Sequence, residues 1–305
     1  MATRDFLSVD DLSPQELVEL IDDADKMKAR PGSYKAKLDG LQIALIFEKP
    51  STRTRVSFEV AVTSMGGSAI VLRSDELQLG RGETIEDTGR VLSRYVDALV
   101  VRTFEQERLE RLAHGATVPV INALSDYSHP CQALADLQTI REQKGRLDGL
   151  ALGYVGDGNN VAHSLMLGGA KVGMHVRVAT PAGYEPSPQV TTRAGEIAAE
   201  TGGTVTVTNV VAEAASDADV LYTDVWASMG QEKESESRAA AFERFRLDSD
   251  VVELAGGEVI VMHCLPAHRG EEIAADVIDG ERSVVWDQAE NRLHTQKALL
   301  VRFLT

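Results

Sequence analysis

LQIALIFEKP (41–50) runs directly into STRTRVSFEVAVTSMGG (51–67), and SAIVL (68–72) follows. The first stretch is a nearly unbroken apolar run, as expected of a strand buried on both faces. The second opens on Pro50-Ser51 and closes on Gly66-Gly67, the start and stop signals of a helix. The third reads as another strand. Strand, helix and strand in that order make a parallel unit with a crossover helix. The rhythm extends outward. Ser13-Pro14 opens an earlier helix with Leu17, Leu20, Ile21 and Ala24 at helical spacing. Downstream come ETIEDTGRVLSRY (83–95) as helix, DALVVRT (97–103) as strand, FEQERLERLAHG (104–115) as helix and VPVINAL (118–124) as strand. HPCQALADLQTIREQKG (129–145) is a longer helix.

After a charged, glycine-containing joint at Gly145–Gly149 the pattern restarts. LALGYVGDG (150–158) is a strand and turn, followed by helix 159–173, strand 174–180, helix 189–203 and strand 204–208. Further strands are read at ADVLYTDVW (218–226) and GEVIVMHCLP (257–266), with a terminal helix at 287–304. The predicted fold is α/β: two similar domains, each a parallel sheet flanked by helices, with the boundary at 145/146. A length of 305 residues suits two cores better than one.

Composition narrows the function classes. Hydrophobic residues at 43% and charged residues at 26% are ordinary for a globular chain. A formal net charge of −16 repels nucleic acid and anionic membranes, and 5% aromatics leaves little for base stacking. Any phosphate site must then be a local island of positive charge. The two cysteines, Cys131 and Cys264, belong to no CxxC, so no disulfide framework is expected. The stretch MATRDFLSVDDLS has no apolar core of the secretory kind, and no apolar run is long enough for a bilayer. A cytoplasmic setting is expected.

Ligands of open parallel sheets bind beyond the carboxyl ends of strands, so the residues that follow each strand are the candidates. After the first come Ser51, Thr52, Arg53, Thr54 and Arg55, where a helix begins. Free N–H groups and the positive end of the dipole converge there. Two arginines in a first turn oppose that dipole, and an anion gives them a reason to be present. Arg102 ends another strand and reads equally well as a surface residue or a second contact. His129 stands at a strand-to-helix junction, with Pro130 suited to the first helical turn and Gln132 one turn on. His129 and Gln132 divide evenly between capping and binding a carbonyl or amide.

In the second half, Gly156-Asp157-Gly158-Asn159-Asn160 follows a strand and opens a helix but lacks GxGxxG. Roughly 20 residues on, where a ribose-binding acid would stand, the sequence reads Val178-Ala179-Thr180-Pro181. A nucleotide-dependent oxidoreductase is disfavoured, and side-chain amides suit a small polar ligand such as an amino acid. Asp224, Ser228 and Met229 follow the next strand, and His263, Cys264, Leu265, His268 and Arg269 the one after. His263, Cys264 and His268 match no common zinc spacing, so no metal is expected. A carboxylate and a thiol at adjacent strand ends can instead hold an amine; Cys264 as a covalent nucleophile lacks a visible partner.

STRTR (51–55), HPCQ (129–132), DVWASMG (224–230) and HCLPAHRG (263–270), in this order, resemble the ornithine carbamoyltransferases over nearly the whole chain. The resemblance implies a transferase that moves the carbamoyl group of carbamoyl phosphate to the δ-amine of L-ornithine, giving citrulline and phosphate in arginine metabolism. It implies a carbamoyl phosphate-binding domain at 1–145, an ornithine-binding domain at 146–286, and a helix at 287–305 packing back on the first domain. Ser51, Thr52, Arg53, Thr54, Gln78, Arg102, His129, Pro130, Cys131, Gln132, Cys264, Leu265 and Arg292 would bind carbamoyl phosphate. Arg53, Arg102, His129 and Cys264 would be catalytic, and Asn160, Asp224, Ser228 and Met229 would bind ornithine. Asn160 is preferred to Asn159 for that role. Gln78 would reach a neighbouring subunit's site, which implies a homotrimer or a multiple of trimers. No cofactor, nucleic acid or membrane partner is implied. The filled motif set argues against a non-catalytic paralogue.

Overall fold

A computed structural model describes residues 4–73, 82–227 and 235–305, of which 235–237 are described in backbone only. The elements, in chain order, are α1 (Pro14–Ala29), β1 (Gln42–Phe47), α2 (Thr52–Ser64), β2 (Ser68–Arg73), α3 (Ile85–Leu92), β3 (Ala98–Arg102), α4 (Gln106–Gly115), β4 (Val120–Leu124) and α5 (Pro130–Lys144). Then follow β5 (Ala151–Val155), α6 (Asn160–Lys171), β6 (His175–Ala179), α7 (Pro188–Thr201), β7 (Thr204–Thr208), α8 (Val211–Ala215) and β8 (Val220–Thr223). The rest are α9 (Ser235–Phe242), α10 (Ser249–Leu254), β9 (Ile260–His263), α11 (Ala275–Ile278) and α12 (Val285–Leu304). The contacts divide the chain into two compact units. One is Met1–Ala135 with Asn291–Thr305, and the other is Asp136–Glu290.

In the first unit four parallel strands lie in the order β2-β1-β3-β4. β1 and β3 are buried along nearly their whole length, which is what their continuous apolar sequence requires. β2 is an edge strand and alternates exposed with half-buried residues, Ile70 among the exposed ones. Ala44, Ile46, Leu99, Val101, Leu109 and Leu112 form the core on one face of this sheet. α2 begins where Ser51 accepts a hydrogen bond from Thr54 N at 3.3 Å, and it ends at Gly66, whose φ of +89° suits glycine.

The second unit carries five parallel strands in the order β7-β6-β5-β8-β9. α6 is buried all round and lies close on β6. A Cβ at Gly169 would stand 2.5 Å from Val176 Cγ2, so only glycine permits this packing. Gly158 is confined likewise: a Cβ there would stand 2.3 Å from Pro186 N and 2.5 Å from Tyr184 O. α8, α9, α10 and α11 fall in segments where the sequence pattern named no helix; they are short, and tertiary packing rather than periodicity defines them.

The sequence put the domain boundary at the Gly145–Gly149 joint, and both glycines do adopt positive φ, 75° and 69°. The contacts divide the chain earlier, inside α5 between Ala135 and Asp136, and again inside α12 between Glu290 and Asn291. In both sheets the order in which strands are added reverses beside the first strand: β2 lies on one side of β1 and β3 on the other, while β6 and β8 flank β5. These switch points are where such sheets open a crevice for ligands.

Candidate active site

The first half-site grows from the switch point of the four-stranded sheet. Arg102 pairs with Phe47 in the ladder, so the end of β3 lies beside the turn that starts α2. That turn is fixed from behind. Glu48 accepts from the Thr103 hydroxyl and from Arg108 at 2.7 Å, while buried Lys49 pairs with Asp126 and lies 4.3 Å from the Phe104 ring centroid. None of these supports follows from local sequence, because each joins residues about fifty or more positions apart.

The cations of the turn divide. Arg55 lies 3.4 Å from Glu59, one turn along the helix, and so has a structural partner. Arg53 is exposed, and among the described residues no carboxylate or hydrogen-bond acceptor meets its guanidinium. It stands at the positive end of the helix dipole, a position that favours an anion. Thr52 is also exposed, Ser51 is half-buried with its hydroxyl engaged in the cap, and Thr54 is buried. A cavity of about 450 Å³ opens beside them, lined among others by Lys49, Ser51, Thr52, Arg55 and Arg73.

α12 supplies what the local motif lacks. Arg292, buried, donates to Gln132 Oε1 at 2.6 Å and to Thr54 Oγ1 at 3.1 Å. One guanidinium thereby joins the start of α2 to the first turn of α5. His129 precedes that turn, and its carbonyl accepts from Gln132 N at 3.1 Å and Ala133 N at 3.2 Å. Its imidazole is buried, and burial first, then the charges of Arg292 and Arg102, holds its pKa well below the usual histidine range. It is therefore a neutral hydrogen-bonding group at pH 7. Cys131 is fully buried, donates to the Asn122 carbonyl at 3.3 Å, and burial pushes its pKa up to about 12. Its thiol is committed to the core, which leaves its backbone, like that of buried Pro130, for any ligand.

The second half-site stands at the switch point of the five-stranded sheet. Thr223 and His263 are ladder partners, so Asp224 and Cys264, the next residues, share one edge. Cys264 Sγ lies 2.9 Å from Asp224 Oδ1, which also accepts from Val225 N at 2.8 Å. The other carboxylate oxygen accepts from the Asn159 amide at 2.8 Å. Asn159 caps α6, its Oδ1 accepting from Val161 N at 2.9 Å and Ala162 N at 3.2 Å. The turn thus uses both ends of Asn159, cap and carboxylate anchor, while buried Asn160 is the first residue of the helix. Gln78, Ser228 and Met229 lie outside the described residues.

Below this edge Tyr154 and Tyr222 stack with centroids 5.9 Å apart. Burial foremost, then neighbouring acids including Asp224 and Cys264, keeps both phenols neutral. Tyr222 donates to Asp136, and Gln288 bridges Asp136 (2.7 Å) to the His263 N–H (3.0 Å). Asp157 pairs with Arg238 at 2.9 Å, and Arg238 also donates to the Trp226 carbonyl and lies over the Tyr184 ring. Neither group of contacts has a local sequence signal. The two nitrogens of His263 are both engaged, Nδ1 with Leu265 N–H at 2.9 Å and Nε2 with Glu272 at 3.1 Å. Asp224, His263 and Cys264 do converge, but an imidazole so engaged has no lone pair for an ion. Leu265 follows at a φ of +58°, rare for a branched side chain and held there by that bond to His263.

Comparison with known proteins agrees with this geometry. Residues 4–142 match a family model described as the carbamoyl-P binding domain of aspartate/ornithine carbamoyltransferase, and residues 148–303 its Asp/Orn binding domain. The chain is 63% identical to an ornithine carbamoyltransferase of Parafrankia sp. over 98% of this chain and 96% of that one. It is 55% identical to an anabolic ornithine carbamoyltransferase of Pyrococcus furiosus, over 98% of this chain and 96% of that protein. A solved structure of ornithine carbamoyltransferase from that organism superposes with a TM-score of 0.95, covering 98% of this chain and 96% of the other. Matches of two family models and of close relatives across nearly the full length place the chain in the aspartate/ornithine carbamoyltransferase family.

Proposed function

We propose that this chain transfers the carbamoyl group of carbamoyl phosphate to the δ-amine of L-ornithine, releasing L-citrulline and phosphate, in arginine biosynthesis. The observation that carries the donor is the exposed Arg53 at the start of α2, met by no acceptor among the described residues, in the helix whose first turn Arg292 ties to Gln132, with a neutral, buried His129 before that residue's helix. The acceptor rests on the named relatives and on the carboxylate–thiol edge of Asp224 and Cys264.

In this reading the phosphate is held by free N–H groups of the first turn of α2, by the hydroxyls of Ser51, Thr52 and Thr54, and by Arg53 and Arg102. The carbonyl oxygen accepts hydrogen bonds that strengthen as it gains charge, from His129 among others. A neutral histidine supplies a donor there without a second fixed cation. The ornithine nitrogen forms its bond to the carbamoyl carbon and sheds a proton, and the C–O bond to phosphate breaks with its electron pair on the departing oxygen. Asp224, kept in place by Asn159, offers a charge partner for an ammonium of ornithine, with Cys264 beside it. Asn160, Ser228, Met229 and Leu265 complete the acceptor side in this assignment, and Gln78, Pro130 and Cys131 the donor side. Orientation and charge stabilisation carry the rate.

A homotrimer, or a multiple of it, is the assembly we infer. It is supported by Val56 and Val60 on α2 and Ile70 on the edge strand β2, all exposed apolar residues of the first unit. Light scattering should then give three times, or a multiple of three times, the 33.0 kDa chain mass. The two cysteines, neither of them in a disulfide, fit a reducing cytoplasm, and no helix among the described residues is long and apolar enough to cross a membrane.

The test is citrulline formation across ornithine, putrescine, lysine, acetylornithine and aspartate, each with carbamoyl phosphate. Ornithine should be preferred, and Arg53→Ala should lose at least about a hundredfold in kcat/KM. No product from ornithine at high concentration, or a better rate with another amine, overturns the assignment.

A further inference from the structure

Beyond the half-site of the second unit, the loop after β9 holds a second set of side chains that the transfer chemistry does not use. Glu272 has no exposed surface, yet only one of its carboxylate oxygens is satisfied. Oε1 accepts from His263 Nε2–H at 3.1 Å and from the His268 N–H at 2.6 Å. Oε2 is buried and meets no hydrogen-bond donor. It lies 3.7 Å from His268 Nδ1, and that same nitrogen is 3.9 Å from Glu271 Oε2. One ligand atom from each of His268, Glu271 and Glu272 lies within 4.8 Å of the other two. Both distances exceed a hydrogen bond. They approach the edge of about 3.4 Å expected when tetrahedral ligands sit about 2.1 Å from a zinc-sized ion.

We propose that His268 Nδ1, Glu271 Oε2 and Glu272 Oε2 bind one divalent transition-metal ion of the Zn²⁺/Co²⁺ class, with water in the remaining position. One imidazole and two carboxylates favour such ions over Mg²⁺ or Ca²⁺, which take oxygen ligands alone. His268 and Glu271 are more than half exposed, so the ion has a route from solvent, while Glu272 anchors it from below. The ion also bears on the loop around Cys264. Fixing Glu272 fixes His263, whose Nδ1 holds the Leu265 N–H in its positive-φ conformation. The site is independent of the carbamoyl transfer reading.

The experiment uses the full chain, freed of metal with EDTA and carrying Cys264→Ser, so that the Asp224–His263–Cys264 group cannot contribute thiolate. Co²⁺ is titrated by visible absorption and Zn²⁺ by calorimetry. One equivalent should bind in the micromolar range, without a thiolate-to-cobalt charge-transfer band. His268→Ala and Glu271→Gln, both at exposed positions, should each weaken it at least about tenfold. Hydrogen exchange at the Leu265 and His268 amides should slow when Zn²⁺ is added. No binding below about 1 mM, or binding that neither exchange weakens, overturns the proposal. A thermal melt of each variant separates these results from loss of the fold.

Discussion

Replacing Arg292 by Met keeps a long apolar stem and removes the guanidinium that ties Thr54 to Gln132. Two hydrogen bonds from a charged donor are lost, each worth about 1.5–3 kcal/mol. The abandoned acceptors, Thr54 Oγ1 and Gln132 Oε1, belong to residues only 2% exposed, so bulk water does not reach them freely. The sum is about 3–6 kcal/mol, and a water entering the vacated space recovers part of it. A loss near 3 kcal/mol is expected in the stability of the first unit. If two-thirds of that loss, about 2 kcal/mol, is felt at the donor site, kcat/KM for carbamoyl phosphate falls by roughly thirtyfold, at about 1.4 kcal/mol per tenfold. The assay pairs citrulline production at saturating ornithine with urea unfolding followed by circular dichroism. Arg292→Lys, with the charge but no fork, should lie between. An Arg292→Met enzyme within threefold of the parent, with an unchanged urea midpoint, would refute the claim that this residue assembles the donor half-site.

His129 gives stability a pH slope of known sign. Its folded pKa lies below the ordinary value near 6.5, so as pH falls past about 6.5 the unfolded chain takes up a proton that the folded one refuses. Stability should therefore drop on acidification by up to about 1.4 kcal/mol per pH unit, and His129→Gln should remove that component of the slope between pH 6.5 and 5; equal slopes count against it. Asn159→Ser keeps the cap on α6 but not the amide on Asp224, so it should raise the KM for ornithine with little change in stability. Asn159→Ala should add a loss of about 1 kcal/mol in urea unfolding; identical behaviour of the two variants would sever the cap from the anchor. Iodoacetamide should label half-buried Cys264 at least about a hundredfold faster than Cys131, whose thiol is buried and pushed up to about 12. Comparable labelling by peptide mass spectrometry would contradict the burial of Cys131.

The strands were legible because burial on both faces leaves a long apolar run, as in β1 and β3. The start of α2 was legible because capping and dipole effects act within four residues. What escaped the sequence acts at long range. Arg108 reaches Glu48 across 60 positions, Arg238 reaches Asp157 across 81, and Gln288 reaches Asp136 across 152. No spacing rule foretells such pairings. Asn159 and Asn160 are both small amides in one turn, and only the family resemblance prefers Asn160 as the ornithine contact. Only the backbone decides which of them caps α6 and turns its amide to Asp224.

The first unit closes only with Asn291–Thr305, residues made after the whole of the second unit. A ribosome delivers the chain in order, so during synthesis residues 1–135 wait for a partner that has not yet been translated. Until then Thr54 and Gln132 lack the guanidinium that joins them, and the donor half-site exists in pieces. The second unit, contiguous from Asp136 to Glu290, bears no such delay. A nascent chain stalled before Asn291 should therefore mature its second unit ahead of its first, reversing the order of their synthesis.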